Sequence, residues 1–200
     1  MRRPVLDVSA LPPIAYGSRT TIWWGVLGLI AIEGAALALT AVAALYLHQN
    51  FMTWPPYGTP PPGLAAATAN VVLLALSVWP MYVADRAAQR ERRLPVIIAL
   101  GIACVFNVAT LALRGFEFAA LNCWWDDHAY GSAVWLLLGM HAAHLVASAI
   151  ENVLLLALVV KGPLERKHFV DVHVNALYWY FIVAVWVPVY VLVFLAPRWS

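Results

Sequence analysis

Charged side chains are scarce in this sequence: Lys, Arg, Asp and Glu make up 11% of its 200 residues, against about 25% in ordinary soluble domains. That shortage excludes a water-facing surface. With 64% hydrophobic residues, the composition is that of an integral membrane protein. A net charge of +2 is too small to draw a nucleic-acid partner. Cysteine is nearly absent as well. Cys104 lies inside an apolar run and Cys123 in a connecting stretch, with no C-x-x-C or C-x-x-C-H spacing. Thiolate metal sites, a disulfide framework and covalent heme attachment therefore lack support. The opening MRRPVLDVSALPPIAYG lacks the basic, apolar and small-residue order of a cleavable signal, so the first membrane helix is expected to serve as the address. No internal repeat and no interdomain linker is visible, which predicts one transmembrane domain over 1–200.

What is abundant is apolar sequence in long runs. A hydrocarbon layer of about 30 Å takes roughly 20 helical residues, and five segments reach that length, near 22–47, 64–84, 95–120, 131–160 and 172–195. The expected fold class is an all-α bundle of five transmembrane helices. Each gap carries charges or a proline cluster that lipid would penalise. Basic residues alternate by side. Arg2, Arg3 and Arg19 precede the first span, Arg86, Arg90, Arg92 and Arg93 follow the second, and Lys161, Arg166 and Lys167 follow the fourth; beyond the far ends of the spans only Arg198 is basic. The positive-inside rule then predicts a cytoplasmic N-terminus and an outward C-terminus. The outer connections HQNFMTWPPYGTPPPG and NCWWDDHAYG place Trp54, Trp124, Trp125, Tyr130 and Trp199 where an aromatic belt is expected.

Polar groups inside a span need partners. In the fourth span His141, His144, Ser148 and Glu151 fall at offsets 0, 3, 7 and 10, one stripe of a helix. Asn107, Thr110, Arg114 and Glu117 repeat those offsets in the third. Arg114 and Glu117 have the spacing of an ion pair that would neutralise itself near the outer interface. Glu33 and Glu151 lie at similar depths, about 17 Å and 14 Å from the same side at 1.5 Å per residue, and become neighbours if the first and fourth spans touch. The histidines have three readings. A heme or metal site requires matched ligands on facing helices, and no other span has a mid-membrane histidine. Hydrogen bonding between helices or to a neighbouring subunit is the second. A proton-linked role with Glu33 or Glu151 is the third. Gly25, Gly28, Ala31, Ala35 and Ala38 form a small-residue face expected to pack closely against another helix. A solute carrier would show broken helices in two related halves, and Pro80 and Pro188 are not related by any repeat.

The order of these motifs resembles subunit III of the heme-copper oxidases over about residues 16 to 195. WWGVLGLIAIEGAALALTAVAALYL is similar to the family helix with a mid-membrane acid, and Glu33 matches its carbodiimide-reactive carboxyl position. WPPYGTPPPG resembles the proline-rich outer loop, ATANVVLLALSVWP the next helix, and RGFEF, with Glu117, the Glu-aromatic pair that ends the one after. YGSAVWLLLGMHAAHL is the most specific match, with Tyr130, Ser132, Gly139, His141 and His144 in the family pattern. There are departures. YWYFIVAVW has Tyr180 where the family has histidine and Val183 where it has aspartate; Leu138 and Arg114 also differ. The resemblance implies the five-helix form of a non-redox subunit that has no cofactor in this chain. Heme and copper would reside in partner subunits, with subunit I and subunit II as neighbours in a bacterial inner membrane. The implied work is packing, phospholipid binding and support of proton uptake, with Glu33 and Glu151 as proton-linked or lipid-contact candidates. Two alternatives stand beside it: an accessory membrane subunit of nitric oxide reductase, and a heme-binding membrane anchor.

Overall fold

The computed structural model describes residues 17, 20–162 and 167–199. Arg2, Arg3, Arg19 and Arg166 of the charge pattern lie outside them. The described residues form five long helices and no strand: α1 (Thr21–Asn50), α2 (Leu64–Gln89), α3 (Arg93–Ala119), α4 (Ala129–Lys161) and α5 (Lys167–Tyr190). After Pro188 the last helix loosens into a π-helical turn, Val191–Leu195, and a 3-10 turn, Ala196–Arg198. All five are long and apolar enough to cross a membrane. Several run past the apolar segments of the sequence, because a helix satisfies its own backbone bonds and can carry polar residues out to the interface. In this way α2 reaches Gln89 and takes in Asp85 and Arg86.

Helices α2, α3, α4 and α5 close a ring, each packed on the next, and α1 leans on α4 and α5 from outside. Trp179, Trp186, Leu74, Met81, Leu137 and Ile182 fill the ring. The small-residue face of α1 does not pack inside this chain. Gly25 and Gly28 have nothing within 4 Å of the position a Cβ would take, and Ala31, Ala35 and Ala38 are exposed. The bundle is instead met by Leu37, Ala44 and Gly34, the last lying 3.4 Å from Phe181 by the same measure. Val26, Ile30 and Leu47 pack partly buried against the ring core beside them, contact that a glycine stripe would not supply.

The ends are fastened by hydrogen bonds. At the basic end the Arg93 guanidinium donates to the carbonyls of Val159 and Val160 at 3.0 and 2.9 Å, so a cation on α3 caps the C-terminus of α4. At the other end His128 caps α4: its Nδ1 accepts from Gly131 N at 2.9 Å, so its Nε2–H donates to Thr59 Oγ1 at 3.0 Å in the first outer loop. Arg198 donates to the Pro62 and Phe194 carbonyls, and Gly63 N donates to Ala120 O at 3.0 Å. Trp124, Trp125 and Trp199 are exposed at that end. Trp54 and Tyr130 are not belt residues. They are buried and packed edge to face at 5.0 Å, because the proline-rich loop folds back over the ring mouth. In the adjoining loop, burial and the nearby Asp127 charge push the Cys123 thiol up.

Gly131 sits where the loop Asn122–His128 turns into α4. A Cβ there would overlap the Trp124 carbonyl oxygen, a backbone atom that cannot rotate away. Gly131→Ala is expected to cost about 1–3 kcal/mol through overpacking, read as a lower midpoint of detergent-induced unfolding.

Candidate functional site

Two polar clusters occupy the bundle. The stripe of α4 divides between them, because residues three apart on a helix differ by about 60° in direction. His141 and Ser148 point into the ring; His144 and Glu151 turn toward α1 and α5.

The first cluster is centred on Arg114. Its guanidinium pairs with Glu117, lies 3.9 Å over the Trp186 ring and donates to His141 Nδ1 at 2.9 Å. Asn70 Nδ2 donates to the other Glu117 oxygen at 2.7 Å. His141 Nε2 lies 3.0 Å from the Ile182 carbonyl. A guanidinium only donates and a carbonyl only accepts, so His141 is the neutral Nε2–H tautomer and its lone pair faces Arg114. The ion pair, close to the end of α3, is covered by protein. Arg114 and Glu117 are fully enclosed, because α2 and α4 cover that face of α3 to its end. Asn107 and Ser148 are also buried, and among the described residues their side chains find no hydrogen-bond partner. Thr110 Oγ1 donates back to the Asn107 carbonyl at 3.0 Å.

The second cluster joins three helices at mid-membrane. Glu33 of α1 accepts from the Tyr178 hydroxyl of α5 at 2.8 Å, and the same oxygen lies 3.4 Å from His144 Nε2 of α4. His144 Nδ1 is 2.6 Å from the Met140 carbonyl and must donate to it. Nε2 then carries a proton only in the imidazolium form. The Glu33–His144 contact is attractive when one proton lies between the two groups, on either the carboxyl or the ring, and repulsive when none does. The Glu33 side chain is 24% exposed on the outer side of the bundle and that of His144 is 12% exposed. Glu33 and Glu151 share no hydrogen bond or ion pair among the described residues. Among the described residues the polar side-chain contacts of α1 with α4 are Thr40 with Met140 and Glu33 with His144, the latter seven residues before Glu151.

Sequence reasoning missed three features. Asp85 receives His173 Nδ1 at 2.6 Å and Gln89 Nε2 at 2.9 Å. Asn175 Nδ2 donates to Asn152 Oδ1 at 2.7 Å between α4 and α5. Trp179 Nε1 donates to Ser77 Oγ at 3.0 Å. The signal was present: any polar side chain inside a span needs a partner. Of the family departures, Tyr180 turns toward α2 and lines a groove with Tyr82 and Arg86, and Val183 packs against the ring core. Among the described residues no group of three His, Cys, Asp or Glu side chains is gathered as a metal would need.

Residues 22–199 match the family described as Cytochrome c oxidase subunit III. Similar proteins include cytochrome c oxidase subunit 3 of Branchiostoma lanceolatum, 25% identical over 144 residues that cover 72% of this chain and 55% of the relative. The Cyanidium caldarium protein of that name is 23% identical over 187 residues, covering 90% and 66%. That of Podospora anserina is 25% identical over 178 residues, covering 83% and 65%. The chain thus spans a little over half to about two-thirds of the length of these curated relatives.

Proposed function

Because this chain belongs to the cytochrome c oxidase subunit III family, we propose that it is an accessory, non-redox subunit of a bacterial heme-copper terminal oxidase. It sits in the inner membrane with its N-terminus cytoplasmic. Basic residues favour that side: Arg86, Arg90, Arg92 and Arg93 share one end of the bundle with Lys161, held there by the Arg93 bonds to Val159 and Val160. Heme and copper belong to partner subunits I and II. The lone pair of His141 is turned to Arg114, which supports a structural rather than a ligating histidine.

The observation that carries the reading is the Glu33–His144–Tyr178 cluster. A carboxyl at mid-membrane, partly open on the outer face of the bundle, is costly against lipid alone. Covered by a partner subunit, it becomes a site that takes up and releases one proton between Glu33 and His144, with Tyr178 orienting the carboxyl. The unpacked Gly25–Ala38 face lies on the side of α1 away from Glu33 and lets a partner helix approach closely from there. Glu151, a proton-linked or lipid-contact candidate one stripe further along α4, lies outside this cluster, and phospholipid fills the remaining surface.

The test uses the intact complex. Glu33→Gln keeps the shape and the acceptor for Tyr178 but removes the exchangeable proton. Proton uptake during turnover is expected to fall severalfold, and activity to decay faster in prolonged turnover, while the partner's heme spectrum stays unchanged. Normal uptake and normal durability would remove the proton-linked role. Co-purification in mild detergent identifies the complex itself: oxidase subunits support the assignment, nitric oxide reductase subunits overturn it.

A further inference from the structure

The outer end of the bundle carries apolar side chains that neither the ring nor the lipid takes up. Glu33 and His144 lie near the middle of α1 and α4; 17 residues separate Glu33 from Asn50, and 15 separate Ala129 from His144. At 1.5 Å per residue those helix ends stand about 25 and 22 Å from the Glu33–His144 level. A bilayer with its headgroups extends only about 20–22 Å from its middle. The loop that follows α1 is pinned at that height, because Thr59 bonds to His128, the cap of α4, at 3.0 Å. In that loop Met52 is fully exposed and Tyr57 is 91% exposed. At this height they face water rather than lipid chains. With Phe51, His48 and the buried Trp54 they line one cleft of about 380 Å³, so the exposed apolar surface is continuous.

We propose that this loop is the docking surface for the water-exposed outer part of an accompanying subunit, with Tyr57 seated in an apolar pocket whose rim is basic. The proposal rests on the membership of a complex in the proposed function and gives that contact a place outside the membrane. The loop is held rigid from behind. Trp54 is buried edge to face on Tyr130, Asn122 Nδ2 donates to the Pro61 carbonyl at 3.3 Å, and Gly63 N donates to Ala120 O at 3.0 Å. At the tip Thr59 N closes a turn on the Pro56 carbonyl at 3.0 Å, with Gly58 at φ +90°, a conformation that favours glycine. Tyr57 is thereby held out without the conformational entropy that a free loop would lose on binding. A large aromatic side chain presented in this way is the type that carries binding energy at an interface. The surroundings set the charge of the partner's rim. Asp126 and Asp127 are exposed just before His128, with Asp127 fixed by Trp124 N at 2.6 Å. Residues 50–63 and 120–128 contain no Lys or Arg, and Arg198 is tied to the Pro62 and Phe194 carbonyls. A rim of lysine or arginine on the partner complements that field.

The experiment uses the complex isolated in mild detergent, with the photoreactive p-benzoyl-phenylalanine in place of Tyr57 or, separately, of Met52. Irradiation is expected to join either position to one co-purifying subunit, at a peptide of its water-exposed outer part that contains Lys or Arg. Tyr57→Ala is expected to lower the Met52 adduct about tenfold or more, the loss typical of a hot-spot residue. Its unfolding midpoint should stay that of the parent, since the side chain touches little of its own protein. Asp126→Lys is expected to lower the adduct roughly fivefold at low salt and to leave it unchanged at high salt, where the charges are screened. Adducts with lipid alone, adducts in the membrane-embedded part of the partner, or a Met52 adduct unmoved by Tyr57→Ala would overturn the proposal. No adduct at all, while oxidase subunits co-purify, would overturn it and leave the proposed function standing. An adduct with a nitric oxide reductase subunit would overturn the proposed function and support the docking surface, so the two readings fail separately.

Discussion

Arg114→Met is expected to destabilise the purified protein by about 3–5 kcal/mol, the cost of leaving one member of a buried ion pair alone. Methionine reproduces much of the stem, so packing over Trp186 is largely kept. What remains is the Glu117 carboxylate, fully buried with Asn70 as its one remaining donor. The His141 lone pair also loses its donor. The measurement is denaturation by sodium dodecyl sulfate in mixed micelles, followed by tryptophan fluorescence. The double variant Arg114→Met/Glu117→Gln separates the causes: it should recover to within about 1.5 kcal/mol of the parent, since replacing both charges of a buried pair is often near neutral. A double variant as unstable as the single would mean that the loss comes from packing rather than from the stranded charge.

The second large effect is expected for Trp179→Ala. Trp179 is 1% exposed at the centre of the ring, and its indole N–H is satisfied by Ser77 across α5 and α2. In water-soluble cores such a truncation costs about 3–5 kcal/mol. In a bilayer the transfer contribution is smaller, because lipid is as apolar as the protein interior. The dispersion attraction forfeited around the void is undiminished, so the expected value lies near the lower end, about 3 kcal/mol, by the same unfolding assay. Trp179→Phe, which fills most of the space and gives up the hydrogen bond, should cost about 1–2 kcal/mol. The ratio of the two reads packing against hydrogen bonding. Exposed Trp124 provides the control, with Trp124→Ala expected within about 0.5 kcal/mol of the parent.

The five spans were legible because each apolar run is bounded by proline or charge, and both are costly in hydrocarbon. Less was legible where a helix serves two neighbours. The offsets 0, 3, 7 and 10 in α4 place His141, His144, Ser148 and Glu151 on one side, but one side of a helix in a bundle borders more than one other helix. Only the packing sends His141 to Arg114 and His144 to Glu33. Asp85 was hidden by its position beside Arg86 and Arg90, which reads as the start of a loop until the helix is seen to continue. The small residues of α1 gave the opposite error. Glycine spacing states that a backbone can be approached, and it does not state by whom. Trp54 and Tyr130 follow the same logic: a tryptophan near a span end suits a headgroup layer and equally suits a loop folded over a bundle mouth.

The partners of α5 set a constraint on how the chain is made. Tyr178 answers Glu33, Trp179 answers Ser77, the Ile182 carbonyl answers His141, His173 answers Asp85 and Asn175 answers Asn152. All four earlier helices except α3 thus wait on a segment synthesised after them, and α3 is reached through Trp186 beneath Arg114. Until α5 arrives, the preceding spans stand in the bilayer with several mid-membrane polar groups unanswered. The last helix to be made is therefore the one that completes the hydrogen bonding of the helices before it.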